Sequence, residues 1–400
     1  MKPDYRATVH ACFVGYVVQA VVNNFAPLLF LTFQSSYQIP LAKITMLITF
    51  NFSLQLVVDL LSAGFIDRIG YRASTLMAHV LSAVGLVALA VLPGLLPDPF
   101  TGLLVAVMIY AVGGGLLEVL ISPMVQACPT ENKEKTMSLL HSFYCWGYVG
   151  VVLVSTLFFH FFGIRNWRVL ACLWALIPVA NAVVFLRVPI APLIEDGGRG
   201  LTVKELARRR VFWALLLLMF CAGASEQAVS QWASTFAQEG LGVGKTIGDL
   251  TGPMFFAVMM GAVRLINGKR KGRTDLGRLI VGSAVLCIGS YLMISLPRIP
   301  VFSLVGCGLC GFSVGIMWPG TVSMASEAIR GGGTAMFAFL ALAGDLGCSA
   351  GPTFVGLVSS AGGDNLKIGI LAGTVFPVLL LLGSLWKRKM PAAPAAQNSP

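Results

Sequence analysis

Twelve apolar runs constrain the fold of this 400-residue chain more than any other feature. Each reaches or exceeds the ~20 residues that an α-helix needs to cross the hydrocarbon core of a bilayer. Backbone polar groups in lipid must be satisfied within the protein, so such runs predict helices. Charged residues make up only 11% of the chain, against about 25% in soluble domains. The sequence predicts an all-α membrane protein whose runs cover roughly 10–33, 44–66, 74–96, 101–125, 137–162, 168–188, 211–236, 246–267, 278–296, 300–324, 333–359 and 366–386.

Lysine and arginine fall unevenly between the two sets of loops. Of the 28, 22 lie on the side that carries both termini and six lie on the other side. The positive-inside rule therefore predicts a multi-pass protein of the cell (inner or plasma) membrane with both termini in the cytoplasm. The net charge of +11 follows from this topology. No basic stripe lies on a soluble face, so the sequence predicts no binding to nucleic acid.

The longest polar interruption, Pro189–Arg210, separates six runs from six. Gly115 and Pro123 recur as Gly311 and Pro319, 196 residues later, and glycines of two further runs recur at an offset of 197. An offset of six spans preserves orientation, so we expect two parallel repeats with a site between them near the midplane. The predicted domains are an N-terminal six-helix bundle (1–188), a cytoplasmic linker (189–210), a C-terminal six-helix bundle (211–388) and a disordered tail (389–400).

Glu118 lies near the middle of the fourth run. A carboxylate within a membrane is costly and usually marks a substrate, ion or proton path. We therefore predict that Glu118 couples transport to protons, being protonated on one side of the membrane and deprotonated on the other. The alternative is a neutral side chain that bonds to Ser122 and only joins helices.

A second polar cluster lies in the seventh run, with further amides at comparable depth in the first. Polar groups among aromatic rings suit a small hydroxylated ligand, although packing between helices would use the same residue types. Glu226 and Asp345 are two further candidates for protonation, and the sequence leaves open whether Glu118 or Glu226 is the main site. Asp345 could instead pair with Arg264. The predicted substrate-binding residues are Gln19, Asn23, Asn24, His141, Tyr144, Trp146, Gln227, Gln231, Trp232 and Trp318.

The loop after the second run contains Asp67, Arg68, Gly70 and Arg72. It resembles the cytoplasmic signature of the major facilitator superfamily, an acid-Arg-x-Gly-x-Arg turn. The resemblance extends over the whole chain and implies the major facilitator fold, with twelve transmembrane helices in two parallel-repeat six-helix bundles. It also implies a gating role for Asp67, Arg68 and Arg72. The alternative is that the two arginines only anchor the cytoplasmic side.

The fourth and fifth runs resemble one branch of that superfamily, the fucose permeases, which are proton–sugar symporters. The branch carries Gly-x-Leu-Glu followed by Asn-Pro, and this chain has Glu118 followed by Ser122-Pro123. The branch's glutamine on the fifth run corresponds to His141, and its first-run carboxylate to Asn23 or Asn24. A relay of two carboxylates in the N-terminal half is therefore not expected.

These features predict a secondary transporter that works by alternating access. The expected reaction is proton-coupled symport of a small hydroxylated solute such as a monosaccharide. The expected partners are that solute, protons and the lipid bilayer, and a monomer is expected. No cofactor, metal site or catalytic constellation is predicted. The alternatives are efflux or uptake of another metabolite or drug, or a membrane sensor that does not transport.

Overall fold

A computed structural model describes residues 5–129, 133–191, 201–269, 275–329 and 332–388. These residues are almost entirely helical, and no strand occurs among them. The predicted tail, 389–400, and residues 192–200 of the predicted linker lie outside them. The α-helices are Arg6–Asn24, Phe30–Tyr37, Leu41–Ile69, Tyr71–Leu95, Pro99–Ala127, Lys133–Phe162, Trp167–Arg187, Val203–Ala207, Arg210–Ser230, Ala233–Thr235, Lys245–Asp249, Phe255–Lys269, Leu276–Ser295, Pro300–Val314, Met317–Ala328, Gly333–Ala361, Leu366–Gly373 and Val375–Arg388.

Twelve helical segments within the described residues are long and apolar enough to cross a membrane. They coincide with the twelve predicted runs, so the prediction is confirmed. They are called here the first to the twelfth span. Because their number is even, the first span begins and the twelfth span ends on the same side of the membrane, called here the terminal side. The other side is called the opposite side.

Corresponding spans of the two halves make corresponding contacts. The first span packs on the fifth and the seventh on the eleventh, while the second packs on the fourth and the eighth on the tenth. The third span likewise contacts the fourth and sixth, as the ninth contacts the tenth and twelfth. This pairing confirms the parallel repeat predicted from the glycine spacing. The halves meet where the second span packs on the eleventh and the fifth on the eighth.

The first and seventh spans are both interrupted. The helix Arg6–Asn24 is followed by a 3-10 turn, Ala26–Leu29, which contains Pro27. The helix Arg210–Ser230 ends before Gln231 and Trp232, and a short helix starts at Ala233. Irregular backbone at membrane depth is tolerated only where protein or a water-filled cavity surrounds it. Interrupted helices of this kind form substrate sites in many transporters, and here predicted site residues lie at both breaks.

Gly347 and Gly150 occupy corresponding positions of the two repeats but differ in the space around them. A Cβ atom on Gly347 would overlap the backbone carbonyl oxygen of Phe220, whereas a Cβ on Gly150 would meet nothing within 4 Å. We expect Gly347→Ala to lower the thermal unfolding midpoint by several degrees, because the seventh and eleventh spans must separate.

Gly150→Ala is the matched control. It removes a glycine from the middle of a helix without a clash, so it should leave stability unchanged or raise it by up to about 1 kcal/mol. Thermal unfolding of the purified variants measures both effects. Equal stability of the two variants would contradict the packing described here.

Candidate functional site

Three carboxyl groups from three spans meet inside the helical bundle. Asp59, Glu118 and Asp345 each place a carboxyl oxygen so that all three lie within 4.8 Å of one another. They are called here the acidic cluster. They stand nine to twelve residues from the terminal-side ends of their helices, which at 1.5 Å per residue is roughly 14–18 Å along each helix. Asp345 is buried, while Asp59 and Glu118 are half-buried.

The acidic cluster ends a row of polar contacts that joins the two halves along the second and eleventh spans. We call this row the polar seam. It combines hydroxyl pairs with the carboxyl pair Asp59–Asp345, whose oxygens lie within 4.8 Å of each other. The polar seam consists of Thr49 with Thr353 (2.6 Å), Ser53 with Ser349 (2.9 Å) and Asp59 with Asp345.

Glu118 is held from the first span. The side-chain nitrogen of Gln19 donates a hydrogen bond to Glu118 Oε2 at 2.8 Å. The hydroxyl groups of Tyr16 and Ser122 lie 2.8 Å apart one turn away. The hydrogen bonds of Ser122 and Glu118 go to the first span: Ser122 bonds to Tyr16 and Glu118 to Gln19. Glu118 also faces the two aspartates of the other spans.

A network of amide side chains lies beside the breaks of the first and seventh spans. Asn23 Oδ1 accepts hydrogen bonds from Gln55 (2.8 Å) and Asn51 (3.3 Å). The backbone carbonyl of Asn23 accepts from Gln231 (3.2 Å), which also donates to Gln227 at 3.0 Å. We call these five residues the amide network. All five are buried, and the network crosses from one half of the protein to the other.

Glu226 lies next to the amide network, where Gln227 donates to its Oε1 at 3.4 Å. Glu226 Oε2 also pairs with Arg264 of the eighth span at 3.6 Å. Arg264 in turn donates to the Gly315 carbonyl and to the sulfur of Cys145, on the fifth span. Glu226 thus has a fixed cation as its partner, and Arg264 is directed to Glu226 and not to Asp345. Glu226 therefore differs from Glu118 and Asp345, which form no ion pair among the described residues.

The predicted aromatic residues are divided among several environments. Tyr144 accepts a hydrogen bond at 3.3 Å from Asn24, the residue that follows Asn23 of the amide network. Trp232 is fully buried and donates to the Pro352 carbonyl, so its polar atom is already satisfied. Trp318 packs on Gly344, next to Asp345. Trp146 and His141 are exposed, with Trp146 near Gly261 of the eighth span and the His141 ring 5.5 Å from that of Tyr16.

The predicted gating residues are only partly described. Asp67 and Arg68 lie in the helix Leu41–Ile69, and their side chains fall outside the described residues. Arg72 donates to the carbonyl oxygens of Phe185 (2.5 Å) and Val188 (2.9 Å), at the end of the sixth span. A cation is favoured at a helix C-terminus. These contacts hold Arg72 within the N-terminal half, and its gating role stays a prediction.

On the opposite side, Lys245 joins the two halves. Its amine pairs with Asp249 at 2.9 Å and donates to the Leu28 carbonyl at 2.6 Å. It also lies 5.4 Å above the ring of Phe159. Asp249 is fully buried and accepts from Ser234 at 2.5 Å. The hydrogen bond from Lys245 to the Leu28 carbonyl therefore joins the two halves on the opposite side, and Asp249 holds Lys245 in place.

Three residues that were not predicted as site residues lie at the centre of the structure. Asn51, Gln55 and Asp59 follow one another at four-residue spacing, so they form a stripe on one face of the second span. Asn51 and Gln55 belong to the amide network, and Asp59 to the acidic cluster. The spacing was visible in the sequence. The sequence did not show which spans this face packs against, because only the packed structure brings it toward the first, fourth and eleventh spans.

The geometry described above can now be compared with known proteins. The model of the Major Facilitator Superfamily matches residues 11–352. The chain belongs to this superfamily. A search of curated proteins finds no match.

Solved structures of the superfamily share the fold. The chain is similar to the fucose–proton symporter of E. coli, at 17% identity, covering 96% of this chain and 100% of that chain with a TM-score of 0.66. It is also similar to a bacterial homologue of the human lysosomal transporter Spinster (14%, 99% and 100%, TM-score 0.76). A D-xylose–proton symporter is similar as well (15%, 96% and 98%, TM-score 0.73). These major facilitator structures confirm the fold, and at such identities they show nothing finer.

The ion pair of Glu226 and Arg264 can be tested by a double-mutant cycle. We expect Arg264→Leu to lower the free energy of unfolding by about 3–5 kcal/mol, because it leaves a buried carboxylate without its partner. Glu226→Gln added to Arg264→Leu should recover part of this loss. Chemical denaturation of the purified variants measures the coupling.

The exposed pair of Arg278 and Asp275 provides the control. Its side chains are 77% and 52% exposed, and exposed pairs contribute little to stability. Arg278→Leu should therefore change the free energy of unfolding only slightly. Strictly additive effects of the Glu226 and Arg264 substitutions would mean that this pair is not coupled.

Proposed function

We propose that this protein is a proton-coupled symporter of a small hydroxylated solute such as a monosaccharide. The observation that carries the proposal is the acidic cluster, half-buried between the two repeats. A transporter couples two fluxes when one site takes up an ion and releases it as the two halves change position. Glu118 is the group assigned to the proton, since it faces the aspartates of both other spans.

The amide network is assigned to the solute. It offers donors and acceptors at the interrupted first and seventh spans, with Tyr144 beside it. A few fixed polar groups next to aromatic rings suit a ligand that carries several hydroxyl groups. A broadly hydrophobic drug would leave these buried amides without partners, and this costs affinity. The network therefore favours a sugar or polyol over a hydrophobic substrate.

The way in which the halves are joined supports a mechanism of alternating access. Lys245 and the hydroxyl pairs of the polar seam hold the halves together toward the opposite side. To open that side, the two halves must break these few polar contacts and rock about the site. We assign the Lys245–Asp249 pair the role of outer gate, because its partner on the N-terminal half is only a backbone carbonyl.

Glu118→Gln tests the coupling. We expect the variant to lose proton-driven accumulation in proteoliposomes and to retain counterflow exchange of the same solute, because exchange needs no net proton movement. Glu327→Gln, at an exposed position of the tenth span, is the control and should accumulate solute normally. Full accumulation by Glu118→Gln would remove Glu118 from the mechanism.

Asn23→Leu tests the assignment of the solute. Candidate ligands come from a thermal-shift screen of sugars and polyols, since a ligand that binds the folded state raises its apparent stability. We expect Asn23→Leu to weaken the apparent Kd of the best ligand tenfold or more, a loss of about 1.4 kcal/mol.

Asn181→Leu is the matched control. Asn181 is also a buried amide, but it bonds to His79 and the Ala11 carbonyl within the N-terminal half. It should lower stability without changing the Kd. An unchanged Kd in Asn23→Leu would contradict the solute assignment, and efflux of apolar dyes with no sugar binding would favour a drug exporter.

A further inference from the structure

The acidic cluster has a feature that proton coupling by Glu118 does not use. Gln19 is 3% exposed, and its amide nitrogen donates to Glu118. Its amide oxygen, on the same carbon, is buried and has no hydrogen-bond partner among the described residues. A buried carbonyl oxygen without a partner costs free energy comparable to a lost hydrogen bond. A hydrogen-bond donor or a cation beside this oxygen would therefore be stabilising.

The cluster has the dimensions of a cation site. Three oxygens that lie within 4.8 Å of one another can all be reached from a central point at 2.8 Å or less. Hard cations bind oxygens at roughly 2.3–2.6 Å, so small side-chain rotations suffice. A turn of the Gln19 amide exchanges its nitrogen and oxygen and supplies a fourth oxygen. All four groups are oxygen donors, the kind that hard cations prefer over soft metals.

The surroundings supply no competing cation for two of the three acids. Glu118 and Asp345 form no ion pair among the described residues, and Arg264 is engaged by Glu226. Three carboxyl groups this close repel each other when ionised. Either protons or a cation must neutralise Glu118 and Asp345. Protons are the first solution, as in the proposed symport, and a bound cation is the second.

We propose that Asp59, Glu118 and Asp345, with the amide oxygen of Gln19, form a binding site for a monovalent hard cation of the size of Na⁺. Divalent cations fit less well, because Ca²⁺ takes six to eight oxygens and Mg²⁺ keeps several waters in a near-ideal octahedron. Four side chains within a helical bundle supply fewer ligands. The site joins the first, second, fourth and eleventh spans, so an ion bound there ties the two halves together on the terminal side of the seam.

The test is cation binding to the purified full-length protein, measured without any solute. We expect NaCl, compared with choline chloride at equal ionic strength and fixed pH, to raise the unfolding temperature in a saturable way. Binding of radioactive ²²Na⁺ should show the same apparent Kd. Asp345→Asn should weaken that Kd at least tenfold, whereas Glu327→Gln should not change it.

Gln19→Leu is the second variant and keeps all three carboxyl groups. It should also weaken Na⁺ binding, even if Asp345→Asn proves unstable. Equal unfolding temperatures in NaCl and choline chloride would overturn the proposal, as would an unchanged Kd in both variants. Saturable stabilisation by CaCl₂ or MgCl₂ but not by NaCl would overturn the choice of a monovalent ion.

The cation site uses the same cluster as the proposed symport, but its binding test requires no flux. Absent Na⁺ binding with intact proton-driven accumulation would overturn this inference alone. Saturable Na⁺ binding by a protein that moves no solute would overturn the transport proposal alone.

Discussion

The repulsion among three carboxyl groups, one buried and two half-buried, organises the centre of this protein. Asp59, Glu118 and Asp345 lie within 4.8 Å of one another on spans from both repeats. In a medium of low dielectric constant such a group is tolerated only when protons, cations or donors compensate it. Three features accompany this cluster in the structure. They are the polar seam, the hydrogen bond from Gln19 and the close approach of the second and eleventh spans. A change in what neutralises the cluster must therefore change how the two halves hold together.

The other buried acids show how differently the same chemistry can be compensated. Glu226 has Arg264 at 3.6 Å, and Asp249 has Lys245 at 2.9 Å. A fixed cation keeps an acid permanently paired, which suits a structural or gating contact. Among the described residues, Glu118 and Asp345 have no such side-chain cation. This suits a proton or ion that binds and leaves. This difference answers, as a proposal, the question that the sequence left open between Glu118 and Glu226.

Much of the fold could be predicted from the sequence, because the bilayer leaves few choices. Lipid offers the backbone no hydrogen bonds, so each apolar run must be a helix, and all twelve were located before any packing was known. The repeated glycines indicated the parallel repeat for an equally local reason: Gly347 stands where a Cβ would overlap the backbone of Phe220. For the site, the sequence supplied Glu118, Asp345 and most of the amides. It did not supply Asp59, Asn51 or Gln55.

The sequence by itself determined which side chains are available within the membrane, since a charged or amide residue in an apolar run is recognisable without coordinates. Only the tertiary structure decided which of them meet. Asp59 and Asp345 are 286 positions apart, and only the packing of two spans from different repeats makes them neighbours. The same packing decides three further contacts: the ion pair of Arg264 with Glu226, and the hydrogen bonds of Ser122 with Tyr16 and of Trp232 with the Pro352 carbonyl. Periodicity fixes the face on which a residue lies, but the partner of that face depends on how twelve helices fill space together.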